Sequence, residues 1–112
     1  MKLQMRDRFV LLNILPAEGD ITTIKIVHRL KMELAPTEKE LKDYNIRQEA
    51  GQVMWDDAQE KKIGAQEKKI GAKAYSIIEE AFEKLNKEKK LTEGHLETFL
   101  KFSADDKEEE EE

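Results

Sequence analysis

The most regular alternation of apolar and polar positions lies in residues 72–85. Ala74, Ile78, Ala81 and Leu85 recur at three- and four-residue spacing, and glutamate and lysine side chains fill the positions between them. Such spacing is typical of an amphipathic α-helix that buries one face. We therefore expect the best-defined helix of the chain in this stretch.

An identical seven-residue block, AQEKKIG, occurs twice in tandem directly before this helix, at residues 58–64 and 65–71. Because seven residues are close to two α-helical turns, a helix through both copies would rotate the following apolar face by only about 20°. Ile63, Ile70 and Ile77 would then share one stripe. We expect the whole block to be helical, and such a perfect copy is typical of a recent duplication or an engineered insertion.

The start of this helix and its glycines leave an alternative open. Asp56 or Asp57 can serve as its N-cap. Gly64 and Gly71 each cost a helix interior roughly 1 kcal/mol relative to alanine. In the alternative structure one copy is extended or looped, and the helix begins at the second copy.

Two helices are predicted near the N-terminus. The apolar run of residues 9–15 has the length of a buried strand or a buried helix, and the spacing of Met5, Phe9 and Leu12 favours a helix. Asp20 can cap a second helix over residues 21–34, in which apolar residues follow helical spacing and basic residues gather toward the C-terminal end.

A short helix and a β-hairpin are predicted next. Thr37 followed three residues later by Glu40 forms a capping-box pattern, and Asn45 tolerates the left-handed turn that ends a helix. Gly51 separates two short segments that place Ile46 on one side and Val53 on the other, which is typical of a hairpin.

A last helix is predicted after a charged linker at residues 86–90. Thr92 can cap it, and Leu91 and Leu96 occupy the positions of a hydrophobic staple. We expect its buried face to carry Leu96, Phe99, Leu100 and Phe102. The side chains expected to be buried together in the core are Phe9, Leu12, Ile78, Phe82, Leu85, Phe99 and Leu100.

Together these elements predict an α+β fold that is mostly helical, with about five helices and one small β-hairpin in a single compact domain over residues 1–102. Charged residues make up 40% of the 112 residues, against about 25% in ordinary globular domains. Because the last five residues are all glutamate, residues 1–107 carry 20 acidic and 20 basic side chains and are neutral. We expect residues 103–112 to form a disordered acidic tail.

Composition also limits the chemistry. The chain has no cysteine, which excludes disulfides and thiolate metal sites, and no apolar run approaches the length of a membrane span. The apolar run near the N-terminus is short and lacks a cleavage site, so we expect no signal peptide and a soluble, cytoplasmic protein.

Candidate catalytic and metal-binding residues are few. His28 and His95 are the only histidines, and neither accompanies a nucleophile motif. Asp56, Asp57 and Glu60 could bind a hard cation but lack the ligand spacing of a calcium loop, so helix capping is favoured. We therefore expect neither an enzyme nor a bound cofactor or metal.

Two kinds of partner remain. Trp55, the sole tryptophan, either packs the hairpin on the long helix or contacts a protein partner, since tryptophan is enriched at binding hot spots. The alternative is a winged helix-turn-helix nucleic-acid-binding protein, because three helices followed by a hairpin is the order of that fold. Its basic surface would consist of Lys25, His28, Arg29, Lys31, Lys39, Lys42 and Arg47. Acidic residues between these cations, such as Glu33 and Glu38, argue against nucleic-acid binding, because such binding calls for a clear excess of basic residues.

The chain also resembles, in style, the small uncharacterised proteins of bacteriophage and prophage genomes. The resemblance comes from the run Arg8 to Pro16 that leads into a basic helix, the hairpin with Trp55 and the glutamate-rich end. It implies an accessory role that acts through binding. The sequence therefore predicts a small non-enzymatic interaction protein whose partner is another protein, with nucleic-acid binding as the alternative.

Overall fold

The computed structural model describes residues 1–102, so the expected disordered tail at 103–112 lies outside the described residues. Six helices and four short strands occur within residues 1–102. In chain order they are β1 (Lys2–Leu3), α1 (Met5–Ile14), α2 (Ile21–Leu34), α3 (Glu38–Asp43), β2 (Arg47–Glu49), β3 (Gln52–Met54), α4 (Asp57–Ile63), β4 (Gln66–Glu67), α5 (Ala72–Lys87) and α6 (Glu93–Phe102). The predicted α+β, mostly helical class is confirmed.

The predicted helix boundaries before the hairpin follow from capping residues. The Asp20 carboxylate accepts a hydrogen bond from the Thr23 N–H at 2.7 Å and starts α2. Thr37 and Glu40 form the predicted capping box of α3, and Asn45 closes that helix with a φ of 55°. These short-range signals act through atoms within three residues of each other, which is why the sequence was sufficient to locate them.

The core lies where α1 packs against α2, α5 and α6, and where α5 packs against α2 and α6. Ten side chains form it: Leu3, Leu11, Leu15, Val27, Leu30, Leu34, Ala74, Ile78, Phe82 and Phe102. Ile78 and Phe82 are buried as predicted. Leu12 and Phe99 are half-buried against this core. Phe9 is instead half-buried against the Trp55 ring, with 5.2 Å between the ring centroids.

The predicted buried face of α6 is partly wrong. Leu96 is 52% exposed and Leu100 is 37% exposed, whereas Thr98 and Phe102 face inward. A polar contact sets this rotation: the Thr98 hydroxyl donates to the buried Asp7 carboxylate at 2.6 Å. The apolar pattern alone predicted that the face with more leucines is buried. It could not reveal the bond to Asp7, which lies 91 residues from Thr98 in the sequence.

The continuous helix predicted through the repeat is also wrong. The first copy forms α4, which ends at Gly64 with a φ of 82°. The second copy is extended: its β4 pairs antiparallel with β1, with Lys2 opposite Glu67 and Leu3 opposite Gln66. The alternative was right that one copy is extended. However, the long helix begins at Ala72, after the second copy rather than at its start.

The hairpin is confirmed, with β2 and β3 joined by Ala50 and Gly51, whose φ angles of 52° and 79° match a two-residue turn with both φ values positive. Asp56 occupies the N-cap position of α4, but its side chain makes no capping bond. It instead accepts hydrogen bonds from Arg47 and Asn45 and closes the base of the hairpin. No helix within residues 1–102 is long and apolar enough to cross a membrane.

Candidate functional site

A cavity of about 610 Å³ lies between α2 and the N-terminal end of α5. Its floor is apolar, and its rim carries four basic side chains. The lining residues are Thr22, Lys25, Ile26, Arg29, Leu30, Glu33, Lys69, Gly71, Ala72, Lys73 and Ala74. We call this cavity the α2–α5 groove.

Helical spacing on α2 builds one wall of the groove. Lys25 and Arg29 lie four residues apart and therefore project from the same side of the helix, while Ile26 and Leu30 repeat that spacing one position further round. Leu30 is buried and Ile26 half-buried, whereas Lys25 and Arg29 are exposed. One helix thus supplies both the apolar floor and half of the basic rim.

The second wall is the extended end of the repeat and the first turn of α5. The Glu33 carboxylate accepts a hydrogen bond from the Lys69 backbone N–H at 3.0 Å and holds this segment against α2. Gly71 is the N-cap of α5 and provides no side-chain capping bond. The first N–H groups of a helix lack intrahelical partners and carry a partial positive charge. This backbone charge adds to that of the lysine side chains.

The four rim cations are not neutralised by neighbouring side chains. Lys25, Arg29, Lys69 and Lys73 form no ion pair with any residue in the part of the chain that the structure describes. Glu33 is the acidic residue of the lining, and one of its carboxylate oxygens is bonded to a backbone N–H. The groove is therefore positively charged around an apolar floor, a combination suited to an acidic ligand with apolar groups.

Only two of the seven cations predicted for nucleic-acid contact line this groove. Lys25 and Arg29 do so, while His28 and Lys31 lie exposed elsewhere on α2, and Lys42 is exposed on α3.

The remaining two predicted cations are ion-paired. Lys39 binds Asp43 at 2.7 Å, and that hydrogen bond raises the pKa of Lys39. Arg47 binds Glu49 at 2.8 Å and Asp56 at 3.1 Å; the hydrogen bond to Glu49 is the main cause of its raised pKa. Both cations are therefore engaged within the hairpin and α3 region.

Sequence reasoning missed Lys69 and Lys73 as groove residues. Both belong to the stretch that was expected to be continuous helix, and in that arrangement they would point along a solvated face. A signal was present, because Gly71 separates the two lysines and marks a possible helix start. Their meeting with Lys25 and Arg29 depends on the tertiary contact of α5 with α2, which no local pattern encodes.

Trp55 is half-buried, and it contacts α1 and α4. Its ring stacks on Phe9, and its indole N–H donates to the Glu60 carboxylate at 3.1 Å. The second oxygen of Glu60 accepts from the Arg6 backbone N–H at 3.0 Å. Trp55 thus contacts α4, which was predicted to be the first part of the long helix and is separate from α5 in the structure. Its contact with a partner remains a prediction.

A second cavity, of about 370 Å³, lies at the N-terminal end of α1. It is lined by Gln4, Arg6, Asp7, Asp57, Glu60, Lys61 and Glu97. Its two buried carboxylates are engaged: Asp7 accepts from the Gln4 N–H and from Thr98, and Glu60 accepts from Arg6 and Trp55. No group of three possible metal-ligating side chains occurs among residues 1–102.

The two histidines take different positions. His28 is exposed on α2, whereas the His95 ring nitrogen Nδ1 accepts a hydrogen bond from the Thr92 N–H at 3.0 Å at the start of α6.

Comparison of the chain with protein families, curated proteins and solved structures found no match.

Proposed function

We propose that this chain is a small, non-enzymatic binding protein whose α2–α5 groove engages an acidic segment of another protein. The observation that supports this proposal is the groove itself, in which four basic side chains without ion pairs to described residues surround an apolar floor. The floor would accept apolar side chains of the partner, while its carboxylates would meet Lys25, Arg29, Lys69 and Lys73. An accessory role of this kind is also what the resemblance to phage proteins implies.

Two observations favour an acidic protein segment over nucleic acid. Nucleic-acid affinity comes largely from contacts with many phosphates, which calls for a clear excess of basic residues. Residues 1–107 are neutral overall, and Lys39 and Arg47, which would extend a basic surface beyond α2, are held by their own carboxylate partners. A groove with an apolar floor also discriminates in favour of ligands that carry apolar side chains.

Winged-helix nucleic-acid binding remains the second candidate, since α2 carries Lys25, His28, Arg29 and Lys31 on its exposed side. In that case duplex DNA would bind across α2 rather than into the groove. Both candidates use Lys25 and Arg29, but Lys69 and Lys73 belong only to the groove, and His28 and Lys31 belong only to the nucleic-acid surface.

Fluorescence anisotropy tests the proposal with two labelled probes, a short synthetic peptide of alternating glutamate and leucine and a short DNA duplex. We expect the peptide to bind, and the double variant Lys25→Gln, Lys73→Gln to weaken binding about tenfold, because each partly exposed ion pair contributes up to about 1 kcal/mol. The matched control is Lys31→Gln, Lys42→Gln, which removes the same charge from exposed lysines outside the groove. An equal loss in the control, or tighter binding of the duplex than of the peptide, would contradict the proposal.

A further inference from the structure

The described part of the chain ends at Phe102, near the N-terminal end of α5, and that end of α5 also forms one wall of the α2–α5 groove. Phe102, the last residue of α6, is buried, and its carbonyl accepts a hydrogen bond from the Tyr75 hydroxyl at 3.2 Å. The two aromatic rings also pack with 5.1 Å between their centroids. Tyr75 directly follows Ala74, which lines the groove, and lies two residues after Lys73. The Phe102 carbonyl therefore lies near the first turn of α5, on a different side of that helix from Lys73.

The chain beyond Phe102 is long enough to reach the groove. An extended chain covers at most about 3.3–3.6 Å per residue, so residues 103–112 can span roughly 30 Å. Phe102 and the groove both lie at the N-terminal end of α5, and a helix with its side chains is about 10–12 Å across. The acidic residues of this segment can therefore reach around α5 toward Lys69 and Lys73.

The charges of the two parts are opposite. Residues 103–112 contain seven acidic residues and one lysine. The groove carries four basic side chains without ion pairs to described residues, together with the uncapped start of α5. A segment tethered by a short linker is held at an effective concentration in the millimolar range, so even weak charge pairing can fill such a site. Glu33 is the single acidic side chain among the lining residues of the groove, against four cations, so the charge there stays positive.

We infer that the acidic segment at residues 105–112 docks into the α2–α5 groove of its own chain and competes there with the partner segment. This inference rests on the proposed function, because it assigns regulation to the same groove. The acidic segment has no apolar side chain to place on Ile26 and Leu30, so it occupies the rim and leaves the floor free. A partner segment that carries both carboxylates and apolar side chains gains contacts that the tethered segment cannot make, and displaces it.

Two variants of the full chain test the inference. The first, Glu108→Gln, Glu109→Gln, Glu110→Gln, removes three charges from the acidic segment. The control, Glu79→Gln, Glu80→Gln, Glu83→Gln, removes three charges from the exposed side of α5, outside the groove. We expect only the first variant to bind the glutamate–leucine peptide about threefold more tightly at low salt. This difference should shrink at about 1 M salt, where the screening length falls to about 3 Å.

Backbone amide signals measured by NMR without peptide provide the second readout. We expect the first variant to shift the amide signals of Lys69, Lys73 and Ala74, and the control to leave them unchanged. Shifts without any peptide binding would support docking of the acidic segment in the groove but contradict both the proposed function and the competition. Peptide binding to the groove with neither shifts nor tighter binding would contradict the inference alone. An equal gain in the control, or shifts that depend on protein concentration, would also overturn docking within one chain.

Discussion

Arg8 is fully buried in α1, and its guanidinium group joins the end of α2 to the start of α3. Nε donates to the Leu34 carbonyl at 2.8 Å, and Nη2 donates to the Ala35 carbonyl at 3.0 Å. Nη1 and Nη2 also bind the two oxygens of Glu40 at 2.8 and 2.9 Å. A buried charge is costly unless its donors are satisfied, and paired bonds to a carboxylate are among the strongest that a side chain makes. Arg8 therefore fixes the path between the two helices.

We predict that Glu40→Gln lowers the free energy of unfolding by about 3 kcal/mol at pH 7, because the change leaves the buried Arg8 charge unpaired. The hydrogen bonds from Arg8 lower the pKa of Glu40 to about 2 from an ordinary value of 4.5. A carboxyl group whose pKa is lower in the folded state contributes stability above its unfolded pKa and loses it as the pH falls toward the folded value. The difference between wild type and variant should therefore be constant above about pH 5 and shrink between pH 4.5 and pH 2.

Urea unfolding at a series of pH values measures this difference. Glu38→Gln is the matched control, since Glu38 lies two residues earlier in the first turn of α3, is exposed and makes no ion pair among the described residues. We expect the control to cost less than about 1 kcal/mol, the range for a carboxylate near a helix N-terminus. A pH-independent loss in Glu40→Gln would show that the Arg8 pair does not set the pKa of Glu40.

At the scale of elements, two identical heptads adopt different structures because their surroundings differ. The first copy follows Asp56 and Asp57, which place negative charge at the start of α4, and its Glu60 is drawn inward by Arg6 and Trp55. The second copy follows Gly64 and meets the exposed edge of β1. There the Lys68 N–H donates to the Met1 carbonyl at 2.8 Å. Local propensity is the same in both copies, so tertiary hydrogen bonds decide the outcome.

We predict that alanine destabilises the protein at only one of the two equivalent glycines of the repeat. Gly64 has φ 82° and ψ 178°, a region that is essentially restricted to glycine, so Gly64→Ala should cost about 1–3 kcal/mol. Gly71 has φ −74° and ψ 171°, which any residue adopts, and an added Cβ meets no atom within 4 Å. Gly71→Ala should therefore change stability by less than about 1 kcal/mol.

Thermal and urea unfolding of the two single variants give the comparison. The variants share the same local sequence on both sides, AQEKKIG followed by alanine, so composition and neighbouring residues are matched. Similar losses at both positions would contradict the assignment of a helix end at Gly64 and an extended second copy.

The elements that the sequence predicted are those defined by nearby atoms. The caps at Asp20 and Thr37, the left-handed Asn45 and the turn at Gly51 each involve a few consecutive residues. The unpredicted parts depend on distant partners. The β1–β4 pair has strands of two residues, too short for any periodic signal. Two of the four rim cations, Lys69 and Lys73, were likewise not predicted. They line the same groove as Lys25 because α5 packs against α2.

At the scale of the whole molecule, α1 packs against α2, α5 and α6, and Asp7 is its link to α6. One carboxylate oxygen accepts from the Thr98 hydroxyl, and the other accepts from the Gln4 N–H at 2.9 Å and from the Lys101 ammonium group. Asp7 and Thr98 are both buried. This link holds α6 in the rotation that turns Phe102 inward and places the end of α6 beside Tyr75, at the N-terminal end of α5.

We predict a large coupling energy between Asp7 and Thr98 in a double-mutant cycle of Asp7→Ala and Thr98→Ala. Contacting residues in one buried hydrogen-bond network typically show interaction energies of about 0.5–3 kcal/mol, and we expect about 1–2 kcal/mol here. The neighbouring pair Arg6 and Glu97 supplies the control, because it joins the same two helices across 3.6 Å with both side chains largely exposed. Exposed ion pairs contribute about 0–1 kcal/mol, so Arg6→Ala and Glu97→Ala should be nearly additive. Equal coupling in the two cycles would show that the position of α6 does not depend on Asp7. It would also show that Asp7 does not place Phe102 at the N-terminal end of α5.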